Sequence, residues 1–133
     1  MSNIPVHKLQ DKTNYGFLIK SFTGEGIDYK QSELLGAHRD DHYMFFIMLN
    51  GSGSAIVDFE EKMVSANQIY YILPEQIHYR IKTVKAQGWF VAVDPSLVDP
   101  ECRDIFESGS GFQEPVTLTY HDSTDYNLSL IHI

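Results

Sequence analysis

The sequence predicts an all-β fold, an antiparallel barrel or sandwich, with one short helix after it. Apolar and β-branched segments of about five to eight residues recur along the chain up to Val93. Glycine, proline and asparagine, which favour turns, stand between these segments. After Asp94 the alternation stops and helix-like features begin. Short strands at such close spacing are typical of antiparallel barrels and sandwiches.

Seven segments are predicted as strands, at 15–22, 27–35, 43–49, 54–59, 68–73, 77–84 and 89–93. The densest apolar run, 43–49, is typical of a strand buried on both faces, and the Asn50-Gly51 pair behind it predicts a hairpin turn. Further turns are predicted at Gly24 and Gly26, at Gly36, at 60–62 and at 86–88. Pro74 ends its strand because proline cannot donate to the ladder.

The segment after Asp94 predicts the helix. Asp99 can cap it, Pro100 suits its first position, and Glu101 interacts favourably with the positive end of the helix dipole. The predicted organisation is a flexible N-terminal arm at 1–12, a barrel at 13–94, the helix at 95–108, and an incomplete linker or tail at 109–133. The apolar run at 128–133 has no turn or cap after it and is left out of the fold prediction.

Composition and charge argue against a DNA-binding, a secreted and a membrane-associated chain. The 133 residues carry a net charge of -8, and the ten lysines and arginines are scattered, so we expect this chain itself not to bind DNA. Its one cysteine, Cys102, permits no internal disulfide, and the polar N-terminus has no signal-peptide core, so we expect a cytoplasmic protein. No apolar run reaches the roughly 18 residues of a membrane span, and we expect no membrane partner.

Polar residues with binding chemistry lie in two segments, 36–44 and 74–80, which would be extended if they continue the neighbouring strands. Alternate strand residues share a face, so His38, Asp40 and His42 would point one way, and His78 would share a face with Arg80. If both strands line one barrel, these groups converge. Imidazole and carboxylate together suit Zn, Fe or Mn, and the same groups also recognise hydroxyls.

Structural roles are the alternative for each of these groups. His38 and His78 can be satisfied by the backbone, and His42 can be a surface or strand-end residue. Arg80 can pair with Asp40 or Asp58, because buried arginine is usually paired. The aromatic residues of the strands are more typical of core than of a pocket, although Trp89 is a candidate wall for a sugar-like ring.

Two segments resemble the motifs of the cupin family. Segment 36–51 resembles the first motif, with Gly36 and Gly51 at its ends and His38 at the first histidine position. Segment 66–78 is similar to the second motif in the short form found in sensory domains of AraC-type regulators: asparagine and glutamine, apolar residues, Pro74, glutamine and His78. The resemblance covers about residues 16 to 107.

The chain departs from the cupin pattern at three positions. Asp40 stands at the second histidine, Met44 at the glutamate, and Glu75 at the glycine of the second motif. Thioether is a poor ligand for a hard metal, so only His38 and His78 match the metal pattern cleanly. The resemblance implies a cupin-like barrel of the jelly-roll type, a small effector, a dimerisation helix pair and DNA-binding helix-turn-helix units in a domain that this chain does not contain.

Three hypotheses follow. In the favoured one the chain is no enzyme and holds neither metal nor cofactor: it binds a small polar effector such as a sugar, and the full-length regulator is a homodimer. The ligand-binding residues predicted for it are His38, Asp40, His78, Arg80 and Trp89. The alternative is a metal-dependent cupin enzyme of the isomerase or dioxygenase type, with ligands from His38, Asp40, His42 and His78. The third is a dimerisation scaffold with a closed barrel.

Overall fold

The computed structural model describes residues 4–24, 36–108 and 113–118. These ranges hold short strands near the N-terminus, long central strands and a helix. The strands are β1 (Val6–His7), β2 (Phe17–Gly24), β3 (Arg39–Asp40), β4 (Tyr43–Val57), β5 (Glu60–Ser65), β6 (Gln68–Ile72), β7 (His78–Val93) and β8 (Val116–Thr117), and the helix is α1 (Pro100–Ser108). Two 3-10 turns lie at Leu9–Asp11 and Pro95–Leu97.

The strands form an antiparallel six-stranded sheet and a small parallel pair. The sheet has the order β2-β7-β4-β6-β8, and β5 pairs with the second half of β4. In the small pair, β1 runs parallel to β3. A single bridge between His38 and His78 attaches this pair to the start of β7. The N-terminal segment therefore lies against the end of the main sheet.

The hairpin predicted at Asn50-Gly51 is wrong, because β4 continues to Val57. Its register against β7 shifts on both sides of Asn50, which marks a bulge. Gly51 has φ +76°, a conformation that glycine adopts without strain. The chain turns instead at Asp58 and Phe59, both with positive φ, as in a type I′ hairpin. The turn predicted at 60–62 is part of β5.

The break predicted at 86–88 is also wrong, because β7 is continuous from His78 to Val93. Ala86 and Gly88 face the core there, and a side chain at Gly88 would collide with the carbonyl of Ile47. Small residues in this segment serve close packing, not a turn. The strands predicted at 15–22 and 68–73 agree with β2 and β6 to within two residues. The strand predicted at 27–35 lies outside the described residues, and so does the run at 128–133.

The core lies on the inner face of the sheet, and α1 covers part of the outer face. The core residues are Phe22, Met48, Val57, Val64, Tyr70, Ile72 and Ala86. Phe106 of α1 packs across Tyr43, Phe45 and Tyr71, with ring centroids 5.2 to 5.9 Å apart. The predicted cap is confirmed, since the Asp99 carboxylate accepts the Glu101 N–H at 2.9 Å, but the helix begins at Pro100, and 95–97 form a separate 3-10 turn.

The all-β, antiparallel prediction with one short helix is confirmed. Within the described ranges, no helix has the length and apolar character needed to cross a membrane.

Candidate functional site

Four histidines and one aspartate meet where the N-terminal segment lies on the sheet. We name His7, His38, Asp40, His42 and His78 the polar cluster. Backbone bonds hold its elements in place: His38 and His78 exchange N–H···O bonds of 3.1 and 3.0 Å, and the Asp41 N–H donates to the His7 carbonyl at 3.1 Å. The cluster therefore combines three separate parts of the chain.

Asp40 is the centre of the polar cluster. Its carboxylate lies 3.3 Å from Nε2 of His78 and 4.0 Å from Nε2 of both His38 and His42. The imidazole of His7 stacks on that of His38, with centroids 4.2 Å apart and an angle of 18° between the planes. Asp40, His42 and His78 are buried, whereas His7 and His38 are half-buried. The cluster is thus reached from the side of His7 and His38.

The surroundings fix the charge states of Asp40 and His38. Burial is the largest influence on the pKa of Asp40 and raises it, but the His78 hydrogen bond and the neighbouring imidazoles together lower the pKa below its usual 3.8. Burial, followed by the charges of His78 and His7, lowers the pKa of His38 to about 4. At neutral pH the cluster therefore holds an ionised carboxylate beside a neutral imidazole.

This arrangement suits a divalent metal as well as a polar ligand. One ligand atom from each of His7, His38 and Asp40 lies within 4.8 Å of the others. Neutral imidazole and carboxylate are ligands that Zn, Mn and Fe accept. The same groups can hydrogen-bond hydroxyls, because a neutral histidine offers one donor and one acceptor. The prediction that no metal binds stays a prediction.

Three of the five predicted ligand-binding residues lie together, and two lie elsewhere. His38, Asp40 and His78 belong to the cluster. The shared face predicted for His78 and Arg80 is wrong: Arg80 has φ 55° at a shift in the register of β4 and β7, and its side chain is exposed. Trp89 is on the outer face of the sheet and 44% exposed. The bulge at Arg80 reverses the alternation on which the prediction relied.

No pattern in the sequence indicated His7, and of the alternatives for His42 the surface position is wrong, although the residue does stand directly before β4 and beside Asp40. His7 reaches the cluster through the parallel pairing of β1 with β3, a long-range contact that no local pattern in the chain indicates. His42 is only 1% exposed and its Nδ1 lies 2.7 Å from the Asp41 carboxylate, so it is not a surface residue. The signal in the sequence that favours a functional position for His42 is the aspartate directly before it, Asp41.

The inner face of the sheet encloses only a small cavity. The cavity has a volume of about 40 Å³ and is lined by residues of β2, β4, β5, β6 and β7, mainly apolar ones such as Phe46, Met48 and Ile81. Such a volume accommodates a few water molecules at most.

Comparisons with known proteins return cupins among solved structures. No protein-family model matches the chain, and no curated protein matches it. The chain is similar to a cupin protein from Bacteroides fragilis, with 16% identity and a TM-score of 0.44 over 62% of this chain and 68% of that one. It is also similar to oxalate decarboxylase from Bacillus subtilis at pH 4.6, with 14% identity and a TM-score of 0.39 over 66% of this chain.

The chain spans 31% of the length of the decarboxylase chain. The strand pairing described above, with its antiparallel sheet, long central strands and following helix, shows the fold class directly. The chain has a mostly β, antiparallel fold with one short helix.

Proposed function

We propose that this chain is a non-catalytic, effector-binding domain of the sensory kind found in AraC-type bacterial regulators. The effector is a small polar molecule such as a sugar, and the polar cluster is its site. DNA contact belongs to a domain outside these 133 residues, because a chain with a net charge of -8 repels phosphate. The full-length regulator would act as a homodimer in the cytoplasm.

The observation that supports this proposal best is the position of the N-terminal segment on the cluster. His7 stacks on His38, and the Leu9 N–H donates to the Asp41 carboxylate at 2.9 Å. Leu9 itself is 2% exposed. A ligand that reaches His38 must contact or displace His7, so its affinity depends on where the segment lies. A difference in affinity between two segment positions is what a signal-transmitting ligand requires.

The residues of the polar cluster offer a ligand different hydrogen-bonding groups. The ionised Asp40 accepts hydrogen bonds from hydroxyl groups, and charge-assisted bonds of this type are the strong ones. Neutral His38 offers one donor and one acceptor, and the imidazole of His78 lies on the other side of the carboxylate. Arg80 and Trp89 lie away from the cluster, so effector recognition in this proposal does not use them.

The test is a thermal-shift screen of monosaccharides and sugar acids against the chain and three variants. A true effector raises Tm by several degrees, since a ligand that binds only the folded state stabilises it by mass action. The shift should vanish in Asp40→Asn, decrease in His7→Ala and persist in Arg80→Ala. An effector that binds equally well to the His7 variant and its parent would refute the role of the N-terminal segment, and a screen without any hit would count against the effector class.

A metal-dependent cupin enzyme is the second candidate, and the spacing of the His7, His38 and Asp40 ligand atoms favours it. A bound Zn, Mn or Fe ion would supply Lewis-acid chemistry. Met44 stands at the glutamate position of the cupin motif. Its thioether has no oxygen atom, and the side chain packs against the core, so this position supplies no carboxylate ligand. Elemental analysis after purification without chelator tests this candidate. About one metal per chain, lost in Asp40→Asn, supports it, and a trace amount in the parent protein rejects it.

A further inference from the structure

The outer face of the main sheet carries apolar side chains in two adjacent rows. The registers of β2, β7, β4 and β6 align one row of Ile19, Val91, Phe45 and Tyr71 and a second row of Ser21, Trp89, Ile47 and Ile69. Every position of the two rows is apolar or aromatic except Ser21, and none of them is charged. A sheet face that is open to water normally carries polar residues, so this composition indicates that another surface covers it.

The helix α1 covers one side of these rows and leaves the other side exposed. Its Phe106 packs against aromatic rings of β4 and β6. On the side of β2 and β7, in contrast, Phe17 is 47% exposed, Ile19 54% and Trp89 44%. The name Trp89 face is used below for this uncovered surface, which comprises Phe17, Ile19, Ile47, Ile69, Trp89 and Val91.

The exposed apolar area of the Trp89 face has the size of a weak protein interface. Aromatic side chains have about 150 to 250 Å² of surface, so the exposed fractions leave roughly 300 Å² on Phe17, Ile19 and Trp89 together. Interfaces are about 56 to 58% apolar, so this core corresponds to roughly 500 Å² per copy once a polar rim surrounds it. Two such surfaces bury about 1,000 Å² in all, which is typical of weak and reversible complexes.

Charge favours a second copy of this chain as the partner. The net charge of -8 makes most approaches between two copies repulsive. The residues of the Trp89 face carry no charge, so two copies that meet there bring no like charges into direct contact. An apolar sheet face also complements itself, and a two-fold interface requires a patch that complements itself.

We propose that the 133-residue chain forms a two-fold homodimer through the Trp89 face, with Trp89 near the two-fold axis. Tryptophan near the centre of an interface is among the residues that contribute most to binding. This inference rests on the proposed function only in that the full-length regulator is a homodimer, and it assigns the contact to the sheet itself. It does not depend on the effector of the polar cluster.

Trp89 is the one tryptophan of the chain, so tryptophan fluorescence reports on this face alone. The experiment combines analytical ultracentrifugation with emission spectra, from submicromolar concentration to about 500 µM, a range that brackets a micromolar Kd. The chain should change from monomer to dimer, and its emission should move to shorter wavelength over the same concentrations. Added salt should tighten the dimer, because it screens the repulsion between two acidic copies.

Charged variants test whether the dimer uses this face. Ile19→Lys keeps the tryptophan and should weaken the dimer at least about tenfold, because its ammonium would lose water in the interface. Met63→Lys is the matched control, since Met63 is 65% exposed but lies on β5, beyond the bulges of β4, and it should change Kd less than about twofold. If Ile19→Lys does not fold, Ser21→Lys replaces it, because Ser21 is already exposed and pairs with Trp89.

Three results would overturn the proposal: a monomer at every concentration, equal weakening by Ile19→Lys and Met63→Lys, or a short-wavelength emission that does not depend on concentration. The last result would mean that a segment of the same chain covers the face. The effector screen on the same protein distinguishes the two proposals. A chain that responds to an effector but stays monomeric overturns this inference alone, whereas a dimer that Ile19→Lys disrupts, without any effector response, supports it and counts against the effector.

Discussion

Nε2 of His78 lies 3.3 Å from a carboxylate oxygen of Asp40, and both side chains are buried where three parts of the chain meet. This pair joins the start of β7 to β3, which in turn pairs with β1. The charge of Asp40 therefore affects the fold and the candidate site together. A change of that single charge should be visible in stability and in ligand binding.

Asp40→Asn keeps the size of the side chain and removes its charge. We expect the free energy of unfolding to fall by about 1 to 3 kcal/mol at pH 7, because the buried imidazole of His78 loses a charged partner. Urea denaturation measures this, with Asp104→Asn on the exposed face of α1 as the matched control. A loss no larger than that of the control would show that the Asp40–His78 pair does not stabilise the fold.

The low pKa of His38 predicts a loss of stability in mild acid. In the unfolded chain the imidazole takes up a proton near pH 6.5, whereas folded His38 takes it up only near pH 4. The unfolded state thus binds more protons between these values, and stability falls as pH decreases through this window, by up to about 3 kcal/mol. The lowered pKa of Asp40 acts at more acidic pH, since its contribution is present above 3.8 and is lost below that value.

Denaturation with chelator present, from pH 7 to pH 4, checks this dependence in the chain and in His38→Gln. The variant should lose less stability across the window than the parent. If both lose the same amount, the titration of His38 does not govern the acid behaviour. Chelator is needed because a metal bound by the histidines would add its own pH dependence.

Local alternation was sufficient to predict part of the site. His38 and Asp40 are two residues apart on one edge, and the second motif placed His78 near them, as found. The face predicted for Arg80 was wrong because a bulge in β7 shifts the alternation by one residue. No pattern in the sequence indicated this bulge. His7 was missed because a two-residue parallel pairing at a separation of over thirty residues leaves no periodic signal.

The strands predicted at 43–49 and 54–59, which the structure joins into β4, show a related limit of prediction from sequence. Asn50-Gly51 correctly indicates a positive φ, which Gly51 adopts, but a bulge within a long strand needs that conformation as much as a hairpin does. Distinguishing the two requires the partner strand. β7 continues opposite this point, and its register, not the local sequence, keeps β4 extended through the bulge to Val57.

Leu9 should fix the N-terminal segment to the sheet. It is 2% exposed, whereas the neighbouring Val6 is 44% exposed. We expect Leu9→Ala to lower the free energy of unfolding by about 2 to 5 kcal/mol, and Val6→Ala by less than about 1 kcal/mol. Limited proteolysis should cut the segment faster in the Leu9 variant. Similar small effects from both variants would mean that the segment is held by its backbone bonds alone.

Gly88 should not tolerate a side chain. A Cβ at this position would collide with the carbonyl of Ile47 on the neighbouring strand, and this backbone group cannot move without breaking the pairing of β4 with β7. We expect Gly88→Ala to lower the free energy of unfolding by about 3 kcal/mol or more. Gly36→Ala is the control: among the described residues nothing lies within 4 Å of its Cβ, but its φ of +68° is unfavourable, so we expect about 1 kcal/mol. Thermal and urea denaturation measure both, and equal effects would contradict the close approach of β4 and β7 at Gly88.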